Sequence, residues 1–183
     1  IGEIKMAISD LPTHLTDAEK RRVFATNSGW AVQPGGNDNP DAQLEILTTI
    51  PQLATTLGPA VVKSINWKPG SGNYTQAAGG TIGIEVVFSE EVTGFENATL
   101  EVTNDTDPAR NLNLPFFVGD KNIVAFEATF DANGNVILTG DILRLPNGTV
   151  ISPGGDTVLG FIFDPADLGL GILPETLPPI TIG

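Results

Sequence analysis

Apolar residues recur at every second position from Ile82 through Ile84 and Val86 to Phe88, directly after the glycine pair Gly79-Gly80. Period-two alternation of this length predicts a strand with one face in a core and the other wet. Ser89-Glu90-Glu91-Val92 then closes it on a charged edge. The same texture continues along the chain. Val61–Trp67 predicts a strand with Trp67 as a core anchor, and Ala98–Asn104 places Leu100 and Val102 on one face. Leu112–Val118 is apolar but holds Pro115, which belongs at an edge or a bulge. Asn122–Phe130 leads through Asp131-Ala132-Asn133-Gly134 toward Asn135–Gly140, and Leu143–Ile151 carries Asn147-Gly148. Asn-Gly between alternating segments predicts a hairpin at each place. Thr157–Phe163 completes a set of about seven short strands over about 100 residues, the pattern of a β-sandwich.

The first 59 residues have a different texture. Thr16-Asp17-Ala18-Glu19 has the form of a capping box, so a short helix runs through Lys20, Arg21 and Arg22. Val23–Thr26 and Trp30–Gln33 flank Asn27-Ser28-Gly29 and predict a hairpin. The stretch 34–41 is a loop, and Leu44–Ile50 is a strand ended by Pro51, with Leu53, Ala54 and Leu57 able to make one helical turn. At the other end, 164–183 mixes Pro165, Pro174, Pro178 and Pro179 with glycines and leucines, which predicts extended structure. Such an apolar segment either packs on another subunit, adds a strand to a neighbouring sheet, or folds back on its own domain. Three regions result: an N-terminal α+β segment (1–59), a sandwich (60–163) and an extended C-terminal arm (164–183).

Composition narrows the chemistry. The 183 residues carry 22 acidic and 9 basic side chains, a formal net charge of −13, with a pI of about 4.2 and a mean hydropathy of +0.09. Phosphate-backbone binding needs clustered Lys and Arg, and nine in all are too few, so nucleic acid is not expected as a partner. No apolar run reaches the roughly 18 residues of a membrane helix, so no membrane association is expected. Cysteine is absent, which removes disulfides, thiolate catalysis and cysteine zinc sites.

The remaining candidate chemistry is oxygen-rich. Asn104, Asp105 and Asp107 share one loop, Asn37, Asp38, Asn39 and Asp41 another, and Glu90 and Glu91 end a strand. Hard oxygens at loop ends can bind calcium, with Asp105, Asp107 and Glu90 as the candidate ligands; the competing reading is ordinary turn chemistry of Asn and Asp. Asp131, Asn133 and Asn135 imitate the start of an EF-hand loop, but Ile142 stands where the closing glutamate would be. His14, the one histidine, has no G-x-S-x-G partner, and no catalytic residue is expected. Lys20-Arg21-Arg22 is either a docking patch for an acidic neighbour or a solvated helix end. Trp30 either nucleates a small N-terminal core or anchors an interface.

The segment YTQAAGGTIGIEVVFSEEV (74–92) resembles the second strand of bacterial and phage immunoglobulin-like domains, whose repeats read GxYxxGDTIxIxVxFSExV; Gly79-Gly80-Thr81 stands here for Gly-Asp-Thr. The stretch from Asp10 to Leu47 is similar to segments of tailed-phage virion proteins. Together these resemblances imply an immunoglobulin-like antiparallel sandwich in a non-enzymatic virion protein, a capsid decoration (cement) protein. They imply the major capsid protein or other virion subunits as partners, multicopy or homo-oligomeric assembly, and the capsid surface as location. On that reading Trp30 and the arm residues Leu170, Ile172, Leu173, Leu177 and Ile180 form the attachment interface, and the arm can be removed from a sandwich that stays folded. The alternative is a bacterial surface adhesin or carbohydrate-binding module, located extracellularly.

Overall fold

In the computed structural model, residues 11–35, 39, 41–57, 60–146, 150–151, 161–162 and 177–183 are described. Helix α1 (Asp17–Arg21) begins as the capping box requires: the Glu19 N–H donates to Thr16 Oγ1, and the Glu19 side chain accepts from the Thr16 N–H at 2.8 Å. Strands β1 (Phe24–Thr26), β2 (Gly29–Val32) and β3 (Glu45–Thr49) form a three-stranded antiparallel sheet in that order. Gly29 is indispensable to the hairpin: its φ is +133°, and a Cβ would lie 1.9 Å from the Thr48 carbonyl oxygen. Pro51 follows β3, and α2 (Leu53–Leu57) buries Leu53 completely.

The rest is mainly β. Strands β4 (Val62–Trp67), β5 (Gly80–Phe88), β6 (Thr99–Asn104), β7 (Leu112–Asp120), β8 (Ile123–Phe130) and β9 (Ile142–Arg144) are followed by β10 (Val150–Ile151), β11 (Phe161–Ile162) and β12 (Ile180–Thr181). Hydrogen bonds link seven of them in the order β12-β9-β6-β7-β8-β5-β4, all antiparallel; β10 and β11 pair separately.

The key strand is β7. Leu112–Pro115 pairs with β6, whereas Phe116–Asp120 pairs with β8, with a register break between Phe116 and Val118. Pro115 sits at the changeover, where a missing N–H costs no ladder bond, and the Phe116 N–H donates to the Ala98 carbonyl. The strand thereby serves two layers that share one apolar core. Ile82, Ile84, Val86, Phe88, Val124 and Phe126 come from one layer, and Leu100, Val102, Leu112, Leu114 and Leu143 from the other. Phe95 fills the middle, 5.7 Å from the Phe88 ring and edge-on to Phe126 at 6.4 Å. This is a sandwich-like packing of two sheet faces.

Two hairpin expectations are corrected. Asn133-Gly134 does form a turn, with Asn133 at φ +56°, but 135–140 is not a strand and β8 does not pair with β9. The loop is instead held by Gln76, whose carbonyl accepts from the Asn133 N–H at 2.7 Å and whose amide donates to Gly134 O. Asn147-Gly148 lies outside the described residues, and β10 beyond it pairs with β11 rather than β9. Of Thr157–Phe163, only Phe161–Ile162 is described, as β11.

On its outer face β5 is crossed by Lys68. The Lys68 stem lies over Gly83, its ammonium bonds Glu127 on β8 and stands 4.6 Å from the Phe117 ring centre. A Cβ at Gly83 would come within 2.9 Å of both Lys68 Cδ and Glu127 Cβ. Gly83→Ala is expected to displace this strap and cost about 1–3 kcal/mol by overpacking; an unchanged melting temperature would refute it.

Candidate functional site

The N-terminal sheet and the sandwich meet at a polar junction. Asn122, buried at the β7–β8 turn, donates from Nδ2 to the Arg22 carbonyl at 3.1 Å and to the Phe88 carbonyl at 3.0 Å. Lys63, at an irregularity in the β4–β5 pairing, donates to the next carbonyl, that of Val23. Arg22 Nη2 reaches both Glu85 oxygens at 3.2 and 3.3 Å, and the Ala25 N–H donates to Ser89 O at 2.8 Å. Val87, Ile123 and Ala125, on the β5–β8 face away from the sandwich core, are buried. Of the basic cluster, then, Arg22 is committed to the chain's own sandwich, while Lys20 lies 3.9 Å from Asp17.

Replacing Asn122 with Ala leaves two carbonyls short of a donor. It is expected to cost about 1–3 kcal/mol and to speed proteolysis of the N-terminal segment; equal cleavage rates would contradict it. Burial lowers the Lys63 pKa to about 8. A lysine whose folded pKa lies below its unfolded value opposes folding when both states are protonated. Between about pH 8 and 10.5 the unfolded chain binds more protons, so stability rises with pH there. The gain is at most about 3 kcal/mol and is expected to vanish in Lys63→Met; a flat wild-type profile over that window would refute it.

The oxygen-rich loop is occupied by cations of the protein itself. Asp107 caps the short 3₁₀ turn Pro108–Arg110 by accepting from the Ala109 N–H, and its other oxygen bonds Arg110 Nη1 at 2.6 Å. Asp105 accepts from Arg144 Nε at 2.9 Å. Asn104 Oδ1 accepts from the Thr106 and Asp107 N–H groups, a local turn device. Glu90 lies elsewhere, bridged to Ala25 of β1. Its Oε1 is buried without a hydrogen-bond partner among the described residues, and burial pushes its carboxyl up. Asp105, Asp107 and Glu90 are therefore not brought together. Among the described residues no three acidic or histidine side chains form a group able to hold a metal. Asp38 lies outside the described residues. His14 Nε2 is 2.8 Å from Glu45, tying the pre-helix segment to β3.

A residue that reading by motif passed over is the centre of this region. Asp141, whose side chain is only 1% exposed, takes a two-pronged bond from Arg110 (Nη2 2.5 Å, Nε 3.1 Å) and another from the Leu138 N–H at 2.9 Å. An isolated Asp after Gly carries no sequence signal; only the approach of the β6–β7 connection to β9 makes it a hub.

Trp30 lies half-buried against Leu11, Leu15, Val23 and Val32, a small core of the N-terminal sheet that Leu47 also joins. Leu177 is buried in the sandwich core, and Ile180 packs against it as part of β12. Leu170, Ile172 and Leu173 lie outside the described residues. Residues 177–183 thus complete the sheet from within. Ile180 pairs with Leu143 and Thr181 with Ile142, the Ile182 N–H donates to Asp141 O, and Trp67 Nε1 donates to Pro178 O at 2.7 Å. Trp67, expected as a core anchor, packs partly buried against the sandwich core and also joins β4 to this last segment. No family model matches the chain, and neither the curated proteins nor the solved structures contain a significant match to it.

Proposed function

We propose that this chain is a non-enzymatic structural module, an immunoglobulin-like sandwich that ornaments a virion shell as a capsid decoration protein, with the major capsid protein or other virion subunits as its partners. The observation that carries the immunoglobulin-like part is the strand order. If β4, β5, β6, β8, β9 and β12 are lettered A, B, C, E, F and G in chain order and the two halves of β7 are lettered C′ and D, the layer β4-β5-β8-β7 corresponds to the A-B-E-D order of an immunoglobulin sandwich and β7-β6-β9-β12 to C′-C-F-G, which supports that reading. The assembly part rests on the resemblance read in the sequence from Asp10 to Leu47. Five acidic side chains of the sandwich, Glu85, Asp105, Asp107, Glu127 and Asp141, are each engaged by an arginine or lysine. That arrangement suits rigid display better than proton transfer.

The test is quantitative mass spectrometry of density-purified particles from the source culture. Abundance of the same order as the major shell protein is the expected result. A few copies per particle would move the chain to the tail or portal and overturn the decoration reading. Absence from particles would overturn the virion reading altogether and leave the bacterial surface or carbohydrate-binding alternative.

A further inference from the structure

The seat of residues 177–183 has properties of a docking site. It lies between Trp67 at the end of β4 and the edge of β9 that faces away from β6, and its occupant is held by parts that act independently of connectivity. Leu177 and Ile182 enter the core at 6% and 2% exposure. The Pro178 carbonyl takes the Trp67 N–H, and two ladder pairs join β12 to β9. The Gly140 N–H donates to Ile182 O at 2.9 Å. Pro178 and Pro179 restrict the entering backbone to extended forms, so little entropy is lost on docking. The segment LPPITIG carries no charged side chain, so it can approach another copy without adding to the repulsion between chains of net charge −13.

We propose that this seat also accepts residues 177–183 of a second copy, so that crowded chains exchange β12. The contacts are identical in either case, and only effective concentration decides between them. A segment joined to its seat within one chain sees that seat at an effective concentration of about millimolar, so a dilute chain closes on itself. Copies packed side by side on a shell offer a comparable local concentration. The 14 residues between Ile162 and Leu177 can span roughly 46–50 Å when extended, enough to reach a neighbour. The relevance of exchange to shell attachment rests on the function proposed above; the exchange itself does not.

Thr181 and Ile142 are antiparallel partners, at a spacing that suits a disulfide, and the chain has no cysteine of its own. The Thr181→Cys/Ile142→Cys double variant should oxidise within one chain, which verifies folding and geometry. Equal mixtures of full-length T181C and I142C are then co-refolded and oxidised over a concentration series. Exchange predicts a disulfide-linked heterodimer whose yield climbs toward millimolar concentration. At the top of the series it should exceed by on the order of tenfold the yield of T181C mixed with E96C, an exposed control. A heterodimer yield no higher than that control, beside a normal intramolecular disulfide in the double variant, overturns the proposal. Particle binding separates the two readings. An oxidised double variant that decorates particles as well as wild type keeps the decoration reading and removes exchange from it. Concentration-dependent heterodimers from a chain absent from particles keep exchange and remove decoration.

Discussion

A chain ending at Thr176 is expected to lose about 3–6 kcal/mol of stability, because Leu177 and Ile182 each contribute about 1.5–3 kcal/mol by burial. The ladder bonds of β12 and the Trp67–Pro178 hydrogen bond go with them. Since whole domains are stable by only about 5–15 kcal/mol, the truncated chain should stand close to unfolding at ambient temperature. Denaturant titration followed by tryptophan emission checks this; a midpoint within experimental error of the full chain would refute it. The consequence for function is direct. The arm was expected to be removable from a sandwich that stays folded, but its last seven residues are part of that sandwich. Loss of particle binding on such a truncation would report unfolding as much as lost contact. Substitutions that leave residues 177–183 intact are the informative ones.

The second large effect is expected at Asp141. Burial pushes its carboxyl up, but the hydrogen bonds from Arg110 and the Leu138 N–H, with the Arg110 charge, outweigh burial and hold it below the ordinary aspartate value. Asp141→Ala should cost about 3 kcal/mol, since it strips a buried hydrogen-bonded pair of one partner. The sign of the pH dependence follows from the lowered value. The unfolded chain takes up the proton first, so the contribution is complete above about pH 4 and is lost as the pH falls through the lower folded value. Wild type should therefore lose stability in acid faster than the variant, and the gap between the two curves should narrow toward the acid end. Parallel curves from pH 7 downward would show that Asp141 is not the group responsible.

How much was legible in advance differs by element. The capping box at Thr16, the Asn27-Ser28 turn, β3 and the alternating strands β4 to β8 were all readable, because each depends on side chains within a few residues of one another. Pro115 was readable as an irregularity but not as the point where β7 changes layers. The Asn133-Gly134 turn was legible, while its hairpin was not: the following residues find Gln76 and Gly183 more available than β8. Asp105 and Asp107 looked like metal ligands because a sequence does not reveal that Arg110 and Arg144 arrive at the same place.

By itself, then, the sequence determined the class of fold, mainly antiparallel β, and the position of most strands. Period-two burial and turn chemistry are local and leave their mark residue by residue. Tertiary structure alone decided which strands are neighbours, which charges neutralise one another, and that the last seven residues close the sheet. Those outcomes depend on contacts between residues as far apart as Trp67 and Pro178. No local pattern encodes such a meeting; it follows from packing two sheet faces and the N-terminal segment together so that buried polar groups find partners.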